Sequence, residues 1–279
     1  MKVNWLLDTV ALGPIHDELA QAVIECGHKA TSATRPNPPY DWDDVDSNFF
    51  EAIPAGSCTV ISGDIDMVTR VRSNPIWTPG VFAKVEEYFC SNYYVHFGKY
   101  VLNGDYLMLP FGELDRRSDF LFATLGNEDQ LFVRPDSSLK LFTGQTISKS
   151  TFKKDLEFLE FSEPASNDLV VISSPKNVVT EWRFVVVDRK VVTGSLYKNQ
   201  GQLVTELVEQ SPARNFAQRV CNDVKPHPQR VWILDICMTA DSKLHVIEVG
   251  GFSFAGLYAC DKVKIVEEVS RVAMEMHAR

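Results

Sequence analysis

The strongest constraint on the fold of this chain is a pair of apolar, strand-like runs in the sequence WILDICMTADSKLHVIEVGGFS at residues 232–253. A short polar turn joins the two runs, which predicts an antiparallel hairpin. The first run carries Asp235 and the second carries Glu248. A two-residue turn at Asp241 and Ser242 places these two carboxylates directly opposite each other, on one face of the sheet.

Two carboxylates in this position repel each other unless a cation lies between them. Oxygen ligands of this kind suit Mg²⁺, which is usually bound by one or two carboxylates together with substrate phosphates. The pair Gly250 and Gly251 follows Glu248, and glycine allows the backbone to approach a ligand closely. The hairpin therefore indicates a metal site. The alternative interpretation is that one carboxylate is solvated or pairs with a lysine.

Composition and charge restrict the class of protein. The 279 residues are enough for two domains or one large one, and 45% hydrophobic with 23% charged residues is typical of a globular chain. A net charge of −9 does not favour nucleic acid as a partner. The six cysteines contain no CxxC pair, which favours a reducing compartment. Without a recognisable signal peptide or an apolar membrane-spanning run, we expect a cytoplasmic protein with no membrane partner.

The N-terminal third alternates strand-like and helix-like segments, which is an α/β pattern. VNWLLD and CTVISGD predict strands, whereas HDELAQAVIECG, with a stripe of Leu19, Val23 and Ile24, and IDMVTRVRS predict helices. The Pro-rich and acidic segment 35–51 predicts a loop, and 78–98 predicts one helix. The remainder is rich in strands, interrupted by a helix at SPARNFAQRVCNDV and ended by a helix at KVKIVEEVSRVAMEMH.

Three cationic residues accompany these strands. Arg134 ends the run LFVRP, and Lys140 follows in the small-residue loop DSSLKLFTGQ. Arg183 lies inside EWRFVVV, where period-2 alternation places Glu181, Arg183 and Val185 on one face. A buried arginine requires an anionic partner. That partner is either Glu181, in a structural role, or a phosphoryl group, whose oxygens a guanidinium matches in pairs.

In this order the elements resemble the ATP-grasp superfamily, and in detail the phage and bacterial clade named for two arginines and a lysine. The segments FVRPDSSLKLFTG, EWRFVVVDRKVV and LDICMTADSKLHVIEVGGFSFAGLY carry the resemblance. It implies a mixed α/β and α+β fold, with a pre-ATP-grasp α/β domain at 1–125 and an ATP-grasp domain at 126–279. The small lobe would span about 126–172 and the large lobe about 173–279, with ATP in the cleft between them.

The resemblance also implies roles for individual residues. Arg183 and Lys140 would be catalytic, and the backbone of the segment 170–174 would bind adenine. Asp235 and Glu248 would hold Mg²⁺. The implied ATP-binding residues are Arg134, Lys140, Ile172, Ser173, Glu181 and Arg183.

One position departs from the family pattern. The family usually has an asparagine two residues after the second metal carboxylate, and Gly250 stands there in this chain. Glycine has no side chain with which to coordinate a metal, so this position bears on turnover rather than on the fold.

The activity that the resemblance implies is ligation driven by ATP. The enzyme would activate a carboxylate as an acyl phosphate and join it to an amine or another nucleophile, with ATP and Mg²⁺ as cofactors. Its partners would be small-molecule or peptide carboxylate and amine substrates. Two alternatives stay open, a nucleotide-binding regulatory or scaffold module without turnover and an ATP-grasp kinase. ADP release separates the module from the two enzymes, and the chemical form of the phosphate product separates ligase from kinase.

Overall fold

The computed structural model describes residues 1–34, 51–139, 141–161 and 164–279, so that Lys140 and most of the predicted loop at 35–51 lie outside the described residues. The strands are β1 (Asn4–Asp8), β2 (Lys29–Ala33), β3 (Cys58–Ser62), β4 (Thr78–Gly80), β5 (Tyr106–Pro110), β6 (Gln130–Pro135), β7 (Gln145–Ser148), β8 (Leu169–Ser173), β9 (Val178–Val187), β10 (Lys190–Asn199), β11 (Gln202–Leu207), β12 (Val231–Thr239) and β13 (Leu244–Gly251). The α-helices are α1 (Thr9–Leu12), α2 (Ile15–Glu25), α3 (Ile65–Ser73), α4 (Cys90–Phe97), α5 (Ser118–Leu125), α6 (Phe152–Glu160), α7 (Pro212–Asp223) and α8 (Lys262–His277). No helix in the described part of the chain combines the length and the apolar surface that crossing a membrane requires.

The N-terminal sheet is parallel, with the strand order β2-β1-β3-β4. Its two inner strands are almost wholly buried, as expected for a parallel sheet covered on both faces. Helix α2 buries Leu19, Ala22 and Val23. The predicted stripe is wrong at Ile24, which is 59% exposed, because five helical steps place it about 140° around the helix from Leu19.

The prediction of one helix over 78–98 is also wrong. This segment contains β4, a 3₁₀ turn at Val85–Tyr88 and α4. Gly80 has a φ angle of +71°, which a right-handed helix cannot accommodate, and β4 pairs with β3 instead. The helical pattern holds only from Cys90 onward.

The largest sheet is antiparallel and has the order β11-β10-β9-β12-β13. One face packs against α4 and α7, through apolar residues that include Phe184, Val186, Trp232 and Leu234. The opposite face packs against α8 and the N-terminal sheet, through residues that include Val185, Val187, Val231 and Ile233. Alternate residues of β9 and β12 therefore belong to two hydrophobic cores, one on each face of the sheet.

The hairpin of β12 and β13 pairs Asp235 with Glu248, which confirms the predicted pairing. The predicted turn is wrong, however, because Thr239 donates its backbone N–H to Lys243 and the loop holds three residues. Ser242 has a φ angle of +63°, as is typical of a three-residue hairpin loop. A β-bulge next to Asp235, in which Ile247 is the extra residue, compensates for the one-residue shift.

The third sheet has the order β5-β8-β6-β7, and its core is shared with α5 and α6. The boundary expected near residue 125 falls inside this unit. Strand β5 pairs with β8, and Leu121 and Phe122 of α5 pack against the same sheet. The third sheet therefore begins at Tyr106, and the division of the chain into two domains and two lobes stays a prediction.

Candidate active site

A row of polar side chains crosses the large sheet at one level. Ser195 of β10, Arg183 of β9, Asp235 of β12 and Glu248 of β13 are successive cross-strand neighbours. Residues directly opposite each other in antiparallel strands point to the same face. This is the face that α8 covers further along, so the same strands carry core residues at one end and charged residues at the other.

Arg183 and Asp235 form a bidentate ion pair. Arg183 Nε donates to Asp235 Oδ1 at 2.9 Å, and Nη2 donates to Oδ2 at 2.7 Å. The side chains are only 12% and 3% exposed, and Arg183 Nη1 also donates to the carbonyl of Gly256 at 3.0 Å. Burial opposes the charged form, but the charge and hydrogen bonds of Asp235 outweigh it and raise the pKa of Arg183. Arg183 is therefore a permanent cation held in one orientation.

Glu181 is not the partner of Arg183, so the structural alternative considered from the sequence is wrong. Tyr197 donates its hydroxyl to Glu181 Oε2 at 2.7 Å, and Lys198 Nζ lies 2.9 Å from Oε1. Both oxygens of Glu181 are thus engaged on the next strand, β10.

Arg134 contacts the other carboxylate of the hairpin, Glu248. It lies on β6 of the small sheet, and its side chain crosses to the large sheet. Nη2 donates to Glu248 Oε1 at 3.1 Å and Nη1 donates to the carbonyl of Ile247 at 3.2 Å. Each of the two opposed carboxylates therefore has an arginine, which offsets their mutual repulsion.

Two tyrosines line the outer side of Arg183. The rings of Tyr197 and Tyr258 are stacked, with centroids 5.0 Å apart and planes 8° from parallel. The guanidinium carbon of Arg183 lies 5.5 Å and 5.2 Å from these two centroids, within the range of cation–π attraction. Burial, followed by the charges of Asp235 and Glu181, raises the pKa of Tyr197, so its hydroxyl stays a neutral donor. The sequence carries no local signal for Tyr258, because its contact arises from the loop after β13.

Two cavities meet at this site. A cleft of about 440 Å³ separates the small sheet from the large one, and its lining includes Arg134, Glu181 and Glu248. A smaller cavity of about 170 Å³ is lined by Arg183 and Asp235, and again by Glu248. Glu248 therefore borders both spaces, and the structure brings five of the predicted residues together around them.

Two of the other predicted residues lie away from these cavities. Ile172 and Ser173 are fully buried within β8, between β5 and β6, and do not line the cleft. Their role, and that of Lys140, which is not among the described residues, stays a prediction. The cleft instead contains Lys176, just after β8, and Lys198. Lys176, which is paired with Asp105 at 2.6 Å, was missed, although it is the first cation after a buried strand.

The donor set suits a single Mg²⁺ ion. Asp235 and Glu248 offer the two carboxylates that such an ion takes when phosphates or water complete its shell. Among residues 1–34, 51–139, 141–161 and 164–279, no group of three or more His, Cys, Asp or Glu side chains is placed to hold a metal. Magnesium here would depend on oxygen ligands from a substrate or from water.

The two glycines that follow Glu248 differ in how closely other atoms surround them. A Cβ atom built on Gly250 would meet nothing within 4 Å, whereas one on Gly251 would lie 2.8 Å from the ring of Phe254 and 3.2 Å from the Cα of Ala83. Gly251 is therefore required for packing. Gly250 is not, and its missing side chain adds to the space beside the carboxylates.

Comparison with known families and structures gives one consistent result. The family model described as "ATP-grasp domain, R2K clade family 2" matches residues 117–267. The fold is similar to D-cycloserine synthetase DcsG, with a TM-score of 0.64 and 12% identity over 97% of this chain and 99% of that one. It is also similar to D-alanine–D-alanine ligase from Bacillus anthracis, with a TM-score of 0.60 and 11% identity over 100% and 99% of the two chains.

A third similar structure is the ATP-grasp ligase PsnB complexed with a minimal precursor, with a TM-score of 0.57 and 12% identity over 98% of this chain and 99% of that one. Among curated protein sequences, none matches this chain. At these identities the solved structures show a shared fold.

Proposed function

Because this chain belongs to the R2K clade of the ATP-grasp superfamily, we propose that it is an ATP-dependent ligase that activates a carboxylate as an acyl phosphate and joins it to an amine or another nucleophile. The family and the mixed α/β fold expected from the sequence are both confirmed. One structural observation supports the proposed chemistry. Two arginines and two carboxylates from two sheets converge where a cleft of about 440 Å³ meets a smaller cavity.

The cleft is suited to a polyphosphate. Arg134, Lys176 and Lys198 place positive charge along it, and phosphate oxygens are the partners that such groups bind. Asp235 and Glu248 would hold Mg²⁺, which when bound neutralises charge on the phosphates. The protein then contributes mainly positioning and electrostatic stabilisation, as is general for phosphoryl transfer.

The reaction has two balanced steps. First, an oxygen of the substrate carboxylate forms a bond to the γ-phosphorus of ATP, the bond to the bridging oxygen breaks, and ADP leaves. Second, the amine nitrogen attacks the acyl carbon, inorganic phosphate leaves, and the nitrogen loses a proton. Arg183, which is permanently charged, would stabilise negative charge that grows on the transferring phosphoryl group.

No side-chain nucleophile takes part in this scheme, and the buried thiols are poor candidates for one. Burial raises the pKa of Cys221, Cys237 and Cys260 to about 12 in each case. These thiols are therefore neutral at physiological pH and weak nucleophiles.

For substrates, we propose a carboxylate and an amine from the small-molecule or peptide classes. The similar enzymes include a D-cycloserine synthetase, a D-alanine–D-alanine ligase and a ligase complexed with a precursor peptide. These names support the class of reaction, and they leave the choice between amino acid and peptide to experiment.

The test is ADP release from Mg·ATP in the presence of paired panels of amino acids and short peptides. We expect ADP release that depends on both a carboxylate and an amine, with inorganic phosphate as the second product. A phosphorylated acceptor would instead identify a kinase. Thermal protection by Mg·ATP without any ADP release would support a binding module without turnover, the alternative that Gly250 favours because it supplies no metal ligand.

A further inference from the structure

We propose that Arg183 and Arg134 couple metal binding to nucleotide binding, because they occupy Asp235 and Glu248 until the phosphates of a nucleotide draw the arginines away. Mg²⁺ would then bind this site only together with the nucleotide. The inference rests on the proposed function and adds to it a role for the two arginines toward the metal site.

Asp235 is the more firmly occupied carboxylate. Both of its oxygens accept from Arg183, at 2.9 Å and 2.7 Å, and the side chain is 3% exposed. A cation that binds Asp235 must therefore compete with Arg183, because both oxygens already accept from it. Breaking a buried pair of this kind without supplying a new partner for each charge is strongly unfavourable.

Glu248 is occupied more loosely. Arg134 donates to one of its oxygens at 3.1 Å, and the carboxylate is 24% exposed. Because Arg134 belongs to the small sheet, this contact also crosses the cleft in which a nucleotide would lie. A nucleotide phosphate entering the cleft therefore meets Arg134 and Glu248 before it meets Arg183.

Charge balance explains why a metal alone is excluded. The two arginines carry the same total charge as the two carboxylates, with opposite sign, so the four side chains are together neutral. A divalent cation added alone would leave two uncompensated positive charges in a largely buried site, at a high desolvation cost. A nucleotide brings anionic oxygens for the arginines, so that carboxylates and arginines both exchange one partner for another of the same charge.

The surroundings of Arg183 allow this exchange without a large movement. When Arg183 leaves Asp235, it keeps the carbonyl of Gly256 and the faces of Tyr197 and Tyr258. The guanidinium therefore stays in the site, where a phosphoryl group can receive it.

The experiment measures Mn²⁺ binding by electron paramagnetic resonance, on the protein alone and with the non-hydrolysable nucleotide AMPPNP. We expect the wild-type protein to bind Mn²⁺ with AMPPNP and to bind Mn²⁺ alone at least about tenfold more weakly, the scale on which partners of metal ligands alter affinity. Arg183→Met should bind Mn²⁺ alone about tenfold more tightly than the wild type, and adding Asp235→Asn should remove that gain.

Arg230→Met is the matched control, because Arg230 forms the same bidentate pair with Asp188, away from Glu248. It should leave Mn²⁺ binding unchanged. Arg134→Met is a second test, which can be used if Arg183→Met does not fold. This variant frees the more exposed Glu248 and should also bind Mn²⁺ alone more tightly than the wild type.

The inference is overturned if the wild-type protein binds Mn²⁺ alone as tightly as with AMPPNP, or if the folded arginine variants gain no affinity for Mn²⁺ alone. Either result leaves nucleotide binding, and with it the proposed function, intact. A wild-type protein that binds no AMPPNP in the presence of Mn²⁺ would overturn the proposed function itself.

Discussion

Strands β9 and β12, with the residues that flank them, carry two bidentate arginine–aspartate pairs. The surroundings of the two pairs differ. Arg183 of β9 pairs with Asp235 of β12, with side chains 12% and 3% exposed. The second pair lies just past one end of the ladder between β9 and β12, with the charges exchanged between the strands. Asp188 follows β9 and Arg230 precedes β12, and their side chains are 31% and 30% exposed. The two pairs have closely similar hydrogen-bond geometry.

Their neighbours explain why the same geometry has different consequences. Asp188 also accepts from Arg271 of α8, and Arg230 also pairs with Glu275, so this pair ties the β9–β10 turn to the last helix. Asp235 instead faces a second carboxylate, Glu248, across the hairpin. The comparison shows that an arginine–aspartate pair indicates a functional site when the pair is buried and a second carboxylate lies beside the aspartate.

Arg183→Met tests the buried pair and has the largest expected effect. We expect turnover to fall by about 10²–10³, because a preorganised donor to the transferring group is lost, while the affinity for ATP changes much less. The free energy of unfolding should also fall by about 3–5 kcal/mol, since Asp235 is left buried without its cation. Turnover per folded molecule, together with the melting temperature, separates the two effects. A folded variant with wild-type turnover would leave Arg183 with a purely structural role, like that of Arg230.

Asp235→Asn and Glu248→Gln test the second charge. Mg·ATP at one hundred times its dissociation constant should stabilise the wild-type protein by about 2.7 kcal/mol, because it binds only the folded state. Either variant should lose most of the part of this stabilisation that requires Mg²⁺. The measurement is the melting temperature with ATP, in the presence of Mg²⁺ and of EDTA. Equal protection under the two conditions in the wild-type protein would contradict a metal role for both carboxylates.

The two glycines beside Glu248 sharpen the comparison between site and scaffold. Gly251→Ala should reduce the free energy of unfolding by about 1–3 kcal/mol, because its methyl group meets Phe254 and Ala83. Gly250→Ala should leave it unchanged or raise it by up to about 1 kcal/mol, because its methyl group meets no atom and alanine restricts the unfolded chain. Urea denaturation of the two variants measures both. A larger loss for Gly250→Ala than for Gly251→Ala would contradict the packing described above.

Asp188→Asn tests the exposed pair and has the smallest expected effect, a loss of about 1 kcal/mol at neutral pH. Hydrogen bonds from Arg230, more than the opposing effect of burial, lower the pKa of Asp188 in the folded protein. The unfolded chain therefore takes up the proton first as pH falls, so the contribution is complete above the ordinary aspartate pKa of about 3.9 and is lost as pH falls through the lower folded-state pKa. The wild type and the variant should accordingly converge in acid. A difference that persists unchanged at pH 2 would exclude this electrostatic origin.

Local periodicity accounts for what the sequence predicted correctly. Alternation along β9 was enough to place Arg183 on the face that carries Val185 and Val187, and helix α8 was predicted with the bounds that the structure shows. The pairing of Asp235 with Glu248 follows from a hairpin, which is a local structure.

Contacts between distant segments account for what the sequence did not reveal. Arg134 and Glu248 are 114 residues apart, and only the packing of two sheets brings them together. The stack of Tyr197 on Tyr258 likewise depends on the path of the loop after β13. Periodicity also missed the partner of Arg183, because the sequence offered Glu181 of the same strand or a phosphoryl group, whereas the structure pairs Arg183 with Asp235 of the neighbouring strand.

The bulge at Ile247 has a consequence for how the length of this hairpin can change. The extra residue compensates for the three-residue turn, and its carbonyl accepts from Arg134 across the cleft. A strand shifted by one residue turns every following side chain to the opposite face. Deletion of Ile247 alone would not cause such a shift, because Glu248 would then follow Val246 directly and stay opposite Asp235. It would remove only the carbonyl that accepts from Arg134. The residue that keeps the two carboxylates opposed after a three-residue turn therefore also connects the hairpin to the small sheet.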